Sequence, residues 1–138
     1  MYQKVTANII VRSVNETLDF YEKVLGFNLI MAVPEGSQQI VTARDTTAPL
    51  GFAIIKRDKV ELMLQSFSSL AKELPSPSTS LIGMSFTLYI QVDDIQALCK
   101  GIKDKVTVVE DLHTTFYGAQ EFCIQDSDGR ILTFACSE

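Results

Sequence analysis

One short pattern occurs twice in this chain, and that repetition constrains the fold more than any other feature. Ile9-Ile10-Val11 runs into a helix-capping stretch, and Ile90-Gln91-Val92 does the same in the second half. A repeat of this length indicates two similar supersecondary units. In the first, residues 5–11 (VTANIIV) are β-branched and apolar and predict a strand. Ser13 or Asn15 can cap a helix with Glu16 in its first turn; over 16–25, Leu18, Tyr21, Val24 and Leu25 then share one face. Gly26 tolerates positive φ and marks the stop. A strand over 27–33 ends at Pro34-Glu35-Gly36. Residues 35–50 are polar and loop-like, with a short strand open over 39–43. Strands over 51–56 and 60–65 form a hairpin about Arg57-Asp58-Lys59, and 67–74 reads as a short helix.

Pro75-Ser76-Pro77-Ser78 is the clearest linker, and after it the plan repeats. Residues 85–92 alternate as a strand with Phe86, Leu88, Ile90 and Val92 on one face. Asp93 or Asp94 can cap a helix carrying Ile95, Leu98 and Ile102. A short strand over 105–109 is followed by a loop containing His113. Strands over 118–125 and 131–135 flank the turn Asp126-Ser127-Asp128-Gly129. Neither half alone carries enough apolar residues for a core, so 1–138 reads as a single domain. Its modules span about 1–74 and about 81–138, with a linker over 75–80.

Composition narrows the classes of partner. Charged residues are 21% of 138 and hydrophobic ones 46%, a globular balance. A net charge of −5 disfavours nucleic acid and anionic membranes and mildly favours cationic ligands, although such acidity also serves solubility alone. The three cysteines, Cys99, Cys123 and Cys136, are widely spaced without a CxxC. That argues against zinc knuckles and thioredoxin-type chemistry, and each reads as a small apolar packing residue. No apolar run approaches a membrane span, and MYQKVTANII does not read as a signal peptide. The expectation is a cytoplasmic protein.

The run IIVRSVNETLDFYEKVLGF, with Phe20-Tyr21 and Leu25-Gly26-Phe27, resembles the opening of the glyoxalase, bleomycin-resistance and extradiol-dioxygenase proteins, the vicinal oxygen chelate superfamily. VELMLQS resembles that family's fourth strand. YGAQEFCIQDSDGRILTF resembles its closing hairpin, with Ser127 in place of the usual proline. The resemblance implies an α+β fold of two tandem βαβββ modules, whose curved mixed sheets form a cleft. It also implies a homodimer.

In the family's metalloenzymes, histidine, glutamate or glutamine ligands project from the first and last strands of each unit. Carried over, the first-strand positions fall on Thr6 and Thr87 and the last-strand positions on Glu61 and Thr133. Threonine hydroxyls are poor ligands for transition metals, and one carboxylate does not hold such an ion, so no metal and no cofactor are expected. By strand alternation Glu61, Met63 and Gln65 share a face opposite Val60, Leu62 and Leu64. Glu61 then reads as a ligand contact or a general base of raised pKa, and equally as a solvated carboxylate beside a lysine.

Thr6, Asn8, Thr87, Tyr89 and Gln91 occupy faces that the fold would make concave, a lining suited to a polar organic molecule. Phe116 and Tyr117 can cover such a ligand, or pack on a neighbouring strand. His113, without a Ser, Cys or carboxylate at motif spacing, reads as a surface residue. Asp126 and Asp128 fall short of a calcium loop and read as an Asx turn. The combined expectation is a metal-free protein that binds or sequesters a small polar or cationic molecule in the cleft of a homodimer. The alternative is a lyase, isomerase or dioxygenase with an atypical metal site or with Glu61 as base. A pure interaction module is the third reading.

Overall fold

The computed structural model describes residues 1–44, 48–73 and 86–137. They fall into two compact units, Met1–Ile82 and Gly83–Glu138. The first contains β1 (Ala7–Val11), α1 (Val14–Lys23), β2 (Asn28–Pro34), β3 (Leu50–Arg57), β4 (Val60–Ser66) and α2 (Phe67–Glu73). The second contains β5 (Leu88–Gln91), α3 (Ile95–Ile102), a 3-10 turn over Lys103–Lys105, β6 (Thr107–Thr114), β7 (Ala119–Gln125) and β8 (Ile131–Ser137). The sheets have the same strand order, β1-β4-β3-β2 and β5-β8-β7-β6. In each, the first strand pairs in parallel with the last and the other pairs are antiparallel. This is the tandem α+β architecture the repeat predicts. The 75–80 linker lies outside the described residues.

In the first unit Ser13, not Asn15, caps α1: its Oγ accepts from Glu16 N at 3.2 Å. Asn15 instead fastens the start of β3, accepting from Leu50 N at 2.9 Å and donating to Ala48 O at 3.1 Å. Val14, Leu18 and Tyr21 pack onto Ile9, Val11, Ala53, Ile55, Leu62 and Leu64, all buried. Each fully buried Leu or Ile contributes about 1.5–3 kcal/mol. Gly26 takes φ +73° just past α1. Two expected strands shrink. The first begins at Ala7, because Val5 is 95% exposed and has nothing to pack against. The 39–43 segment makes a single bridge, Ala32 to Val41, and is held by Arg44 on Asp19 (2.7 Å) and on Asn15 O (2.9 Å).

In the second unit Asp94, rather than Asp93, caps α3 by accepting from Ala97 N at 3.0 Å. The buried stripe is Ile95, Cys99 and Ile102. Leu98 is half-buried, so the short thiol takes the inner position expected for the leucine. These residues pack on Phe122, Ile124, Leu132 and Phe134. The predicted 105–109 strand starts later and runs on to Thr114, so His113 sits in a strand and not in a loop. Asp126 closes the β7–β8 turn. Its Oδ1 accepts from Asp128 N (2.9 Å) and Arg130 N (3.0 Å), and its Oδ2 lies 3.2 Å from Arg130 Nη1. This is an Asx turn with a buried ion pair. No helix among the described residues is long and apolar enough to cross a membrane.

Removing one partner of a buried ion pair leaves an uncompensated charge. Asp126→Ala is therefore expected to destabilise the protein by about 3–5 kcal/mol in chemical denaturation, with Asp126→Asn milder because it retains the turn's acceptor.

Candidate functional site

Each sheet has one face under its helix and one turned away from it, and alternation decides which side chains go where. On the first sheet the turned-away face carries Asn8, Met63 and Ile54 on one rung and Ile10, Gln65 and Phe52 on the next. Asn8 Nδ2 donates to Gln65 Oε1 at 2.9 Å, and Gln65 Nε2 donates to Ser69 Oγ at 3.1 Å. Asn8 is thus tied into its own unit, while Met63 stays half-exposed between Asn8 and Ile54.

Glu61, opposite Lys56, accepts from Lys4 Nζ at 2.8 Å and its side chain is 25% exposed. That hydrogen bond, reinforced by the Lys4 and Lys56 charges, holds its carboxyl below the usual carboxylate value. The geometry shows the lysine-paired carboxylate of the second reading, and the direction of the shift lends the raised-pKa base no support. Thr6 and Thr87 precede their strands, half-buried and exposed respectively. Counted back from the caps Ser13 and Asp94, Asn8 corresponds to Tyr89. Asn8 pairs with Met63 and Tyr89 with Thr133. Thr133 therefore matches Met63, not Glu61, and the four inferred ligand positions do not form matching layers. Among the described residues no three His, Cys, Asp or Glu side chains form a group that could hold a metal ion.

The second sheet is different. Across its turned-away face, Gln91 pairs with Ala135, Ala135 with Glu121, and Glu121 with His113. One rung along, Tyr89 pairs with Thr133 and Thr133 with Cys123, whose Sγ lies 3.3 Å from Thr133 Oγ1. Glu121 is 7% exposed, and both Tyr89 Oη (2.8 Å) and Tyr117 Oη (2.5 Å) donate to its Oε2. The two phenols stabilise the carboxylate and hold Glu121 below its ordinary value, with a smaller contribution from His113. Reciprocally, the Glu121 hydrogen bond and charge push Tyr89 up to about 12, and Tyr117 upward.

His113 is not the isolated surface residue expected. Its Nδ1 lies 2.8 Å from Asp111 O and its Nε2 3.4 Å from Glu110 Oε1. Phe116, 99% exposed, meets Tyr117 edge-to-face at 5.0 Å. Beside Tyr89, a depression of about 390 Å³ is lined by Gln91, Asp93, Ala135, Cys136 and Ser137 among others. That is within the usual size of small-molecule sites, about 300–1,000 Å³.

The structure thus brings Tyr89, Tyr117 and Gln91 onto one face with Glu121, a residue that sequence reasoning passed over. Its signal was present: Phe122 and Ile124 must face the helix, so Glu121 and Cys123 face away.

A model of the Glyoxalase/Bleomycin resistance protein/Dioxygenase superfamily matches residues 4–134. Among solved structures, a protein of unknown function from Agrobacterium tumefaciens str. C58 superposes with TM-score 0.74 at 19% identity, over 100% of this chain and 96% of that one. TioX from Micromonospora sp. ML1 gives 0.70 at 14% identity, over 99% and 100%. A glyoxalase/bleomycin resistance protein/dioxygenase from Nocardioides gives 0.66 at 13%, over 99% and 85%. At such identities the likeness speaks for the fold alone. No curated protein matches the chain.

The Glu121 cluster dictates a pH response. A carboxyl titrating lower in the folded than in the unfolded chain adds stability above its ordinary 4.5, and this is lost as pH falls through the depressed value. The Tyr89 contribution is full below its ordinary 10.0 and is lost as pH rises through about 12. Ultraviolet titration of the native protein is expected to show a tyrosine ionising near 12. That phase should disappear in Tyr89→Phe and move down in Glu121→Gln.

Proposed function

The chain belongs to the Glyoxalase/Bleomycin resistance protein/Dioxygenase superfamily, and from that premise we propose that it is a small-molecule binding protein, metal-free and homodimeric, with its ligand seated on the open face of the second sheet. The observation that carries this reading is the ionised, nine-tenths buried Glu121 gripped by two half-exposed phenols beside a ligand-sized depression. An exposed aromatic surface arranged around a fixed charge recognises organic molecules: the rings supply apolar contact and the polar groups fix orientation. Phe116, Tyr117 and Tyr89 supply the contact, and Gln91 and Thr133 add hydrogen-bonding groups on the same face.

The donor chemistry supports the metal-free part. A superfamily metal needs imidazole or carboxylate at the inferred positions, where this chain has Thr6, Thr87 and Thr133, and Glu61 is engaged by Lys4. These residues do not fit such an ion. The enzymatic alternative, a lyase, isomerase or dioxygenase using Glu61 as base, draws no support from a carboxylate whose proton affinity Lys4 lowers. The setting we propose for this binding role is the cytoplasm.

The test is protein-observed NMR against a library of small aromatic and aliphatic fragments. Hits are expected to shift the resonances of Tyr89, Tyr117, Glu121 and Ala135. Tyr89→Ala is expected to weaken them about tenfold, the loss of one aromatic contact of ~1.4 kcal/mol. Light scattering is expected to give twice the 15.3 kDa chain mass. A transition metal bound stoichiometrically to the purified protein, or fragment shifts confined to other surfaces, would sink the proposal.

A further inference from the structure

Building on that binding site, we propose that the ligand is an organic cation, a protonated amine or quaternary ammonium, held between Asp93 and the Tyr89–Glu121–Tyr117 cluster. The inference starts from the sign of the charges. Asp93 lines the depression beside Tyr89, and none of the described residues lining it is basic. Glu121 is the cross-strand partner of the lining residue Ala135 and lies one hydrogen bond from Tyr89. Its carboxylate makes both phenols donate inward, so the electron-rich oxygens and ring faces remain for the ligand. Phenol rings attract a cation placed within about 6 Å of their centroids.

Two basic side chains of this unit and its histidine lie away from the lining of the depression. His113 flanks Glu121 on the side away from Ala135, since the strand order is β8-β7-β6. Lys103 is engaged by Asp111 at 2.6 Å, and Arg130 by Asp126.

The opposite sign of ligand has one argument in its favour. Asp93 precedes the cap residue of α3, and a helix start attracts anions through its free amides. Here the cap is already occupied: Asp94 Oδ1 accepts from Ala97 N at 3.0 Å, and its carboxylate adds a further negative charge at that end. An anion entering the depression meets Asp93 without a compensating base among the described lining residues, whereas a cation meets the Asp93 carboxylate and the Tyr89 phenol, with Glu121 one hydrogen bond behind that phenol. Cys136, whose thiol donates to Asp93 O at 3.3 Å, completes a wall without positive charge.

The experiment compares three probes of similar size by NMR titration of the full chain: benzyltrimethylammonium, neutral neopentylbenzene and benzenesulfonate. The cation is expected to bind best, shifting Tyr89, Asp93, Ala135 and Cys136. Asp93→Asn and Glu121→Gln should each weaken the cation about fivefold more than they weaken the neutral probe at low salt. Both substitutions preserve shape, and circular dichroism confirms folding. Equal or tighter binding of the neutral or anionic probe at the same residues overturns the cation assignment but leaves the binding site standing. If none of the probes shifts these residues, the site itself is lost as well.

Discussion

The parallel pairing of first and last strands governs everything else in each unit. Ile9 pairs with Leu64, and Ile90 with Phe134. Two parallel neighbours need a long crossover, and here that crossover contains a helix and the two remaining strands. The helix has to return across the sheet, so it covers one face. Val14, Leu18 and Tyr21 bury that face in the first unit; Ile95, Cys99 and Ile102 do so in the second. The other face is left free of the helix by topology, and in the second unit it carries the Glu121 cluster.

The two units use the same frame for different surfaces. In the first, the free face is half-apolar, with Ile10, Phe52, Ile54 and Met63, and its polar groups are engaged internally: Asn8 with Gln65, and Glu61 with Lys4. In the second, Tyr89 stands where the first has Asn8 and Thr133 where it has Met63. Those exchanges turn a closed amide pair into an aromatic and carboxylate cluster without altering strand order. The fold family accounts for the frame, and the side chains at a few rungs account for the chemistry.

The frame was legible because local signals agree with it. Ser13, Gly26 and Asp94 announce their helix ends, and alternation in VELMLQS assigns both faces. The site was less legible because its bonds join distant residues. Lys4 reaches Glu61 and Tyr89 reaches Glu121 across many positions, and no spacing rule announces either. Residues 110–114 read as a loop because β6 is a polar edge strand with two register shifts, between Val108 and Glu110 and between Glu110 and His113. That irregularity breaks the alternation that would have placed His113 in the sheet opposite Glu121.

The first-to-last pairing also sets the order in which each unit can be completed during synthesis. Until β4 has been made, β1 has no partner on the sheet; β5 waits in the same way for β8. Hairpins such as β3–β4 form from near neighbours, but closure joins residues as far apart as Ala7 and Leu62. Such non-local contacts slow folding, and in the interval they leave unpaired strand edges open to other chains. A ribosome that stalls before β8 releases a second unit with β5 unpaired and with Tyr89 on that open edge. The strand that carries Tyr89 is therefore among those most exposed to aggregation while the protein is being made.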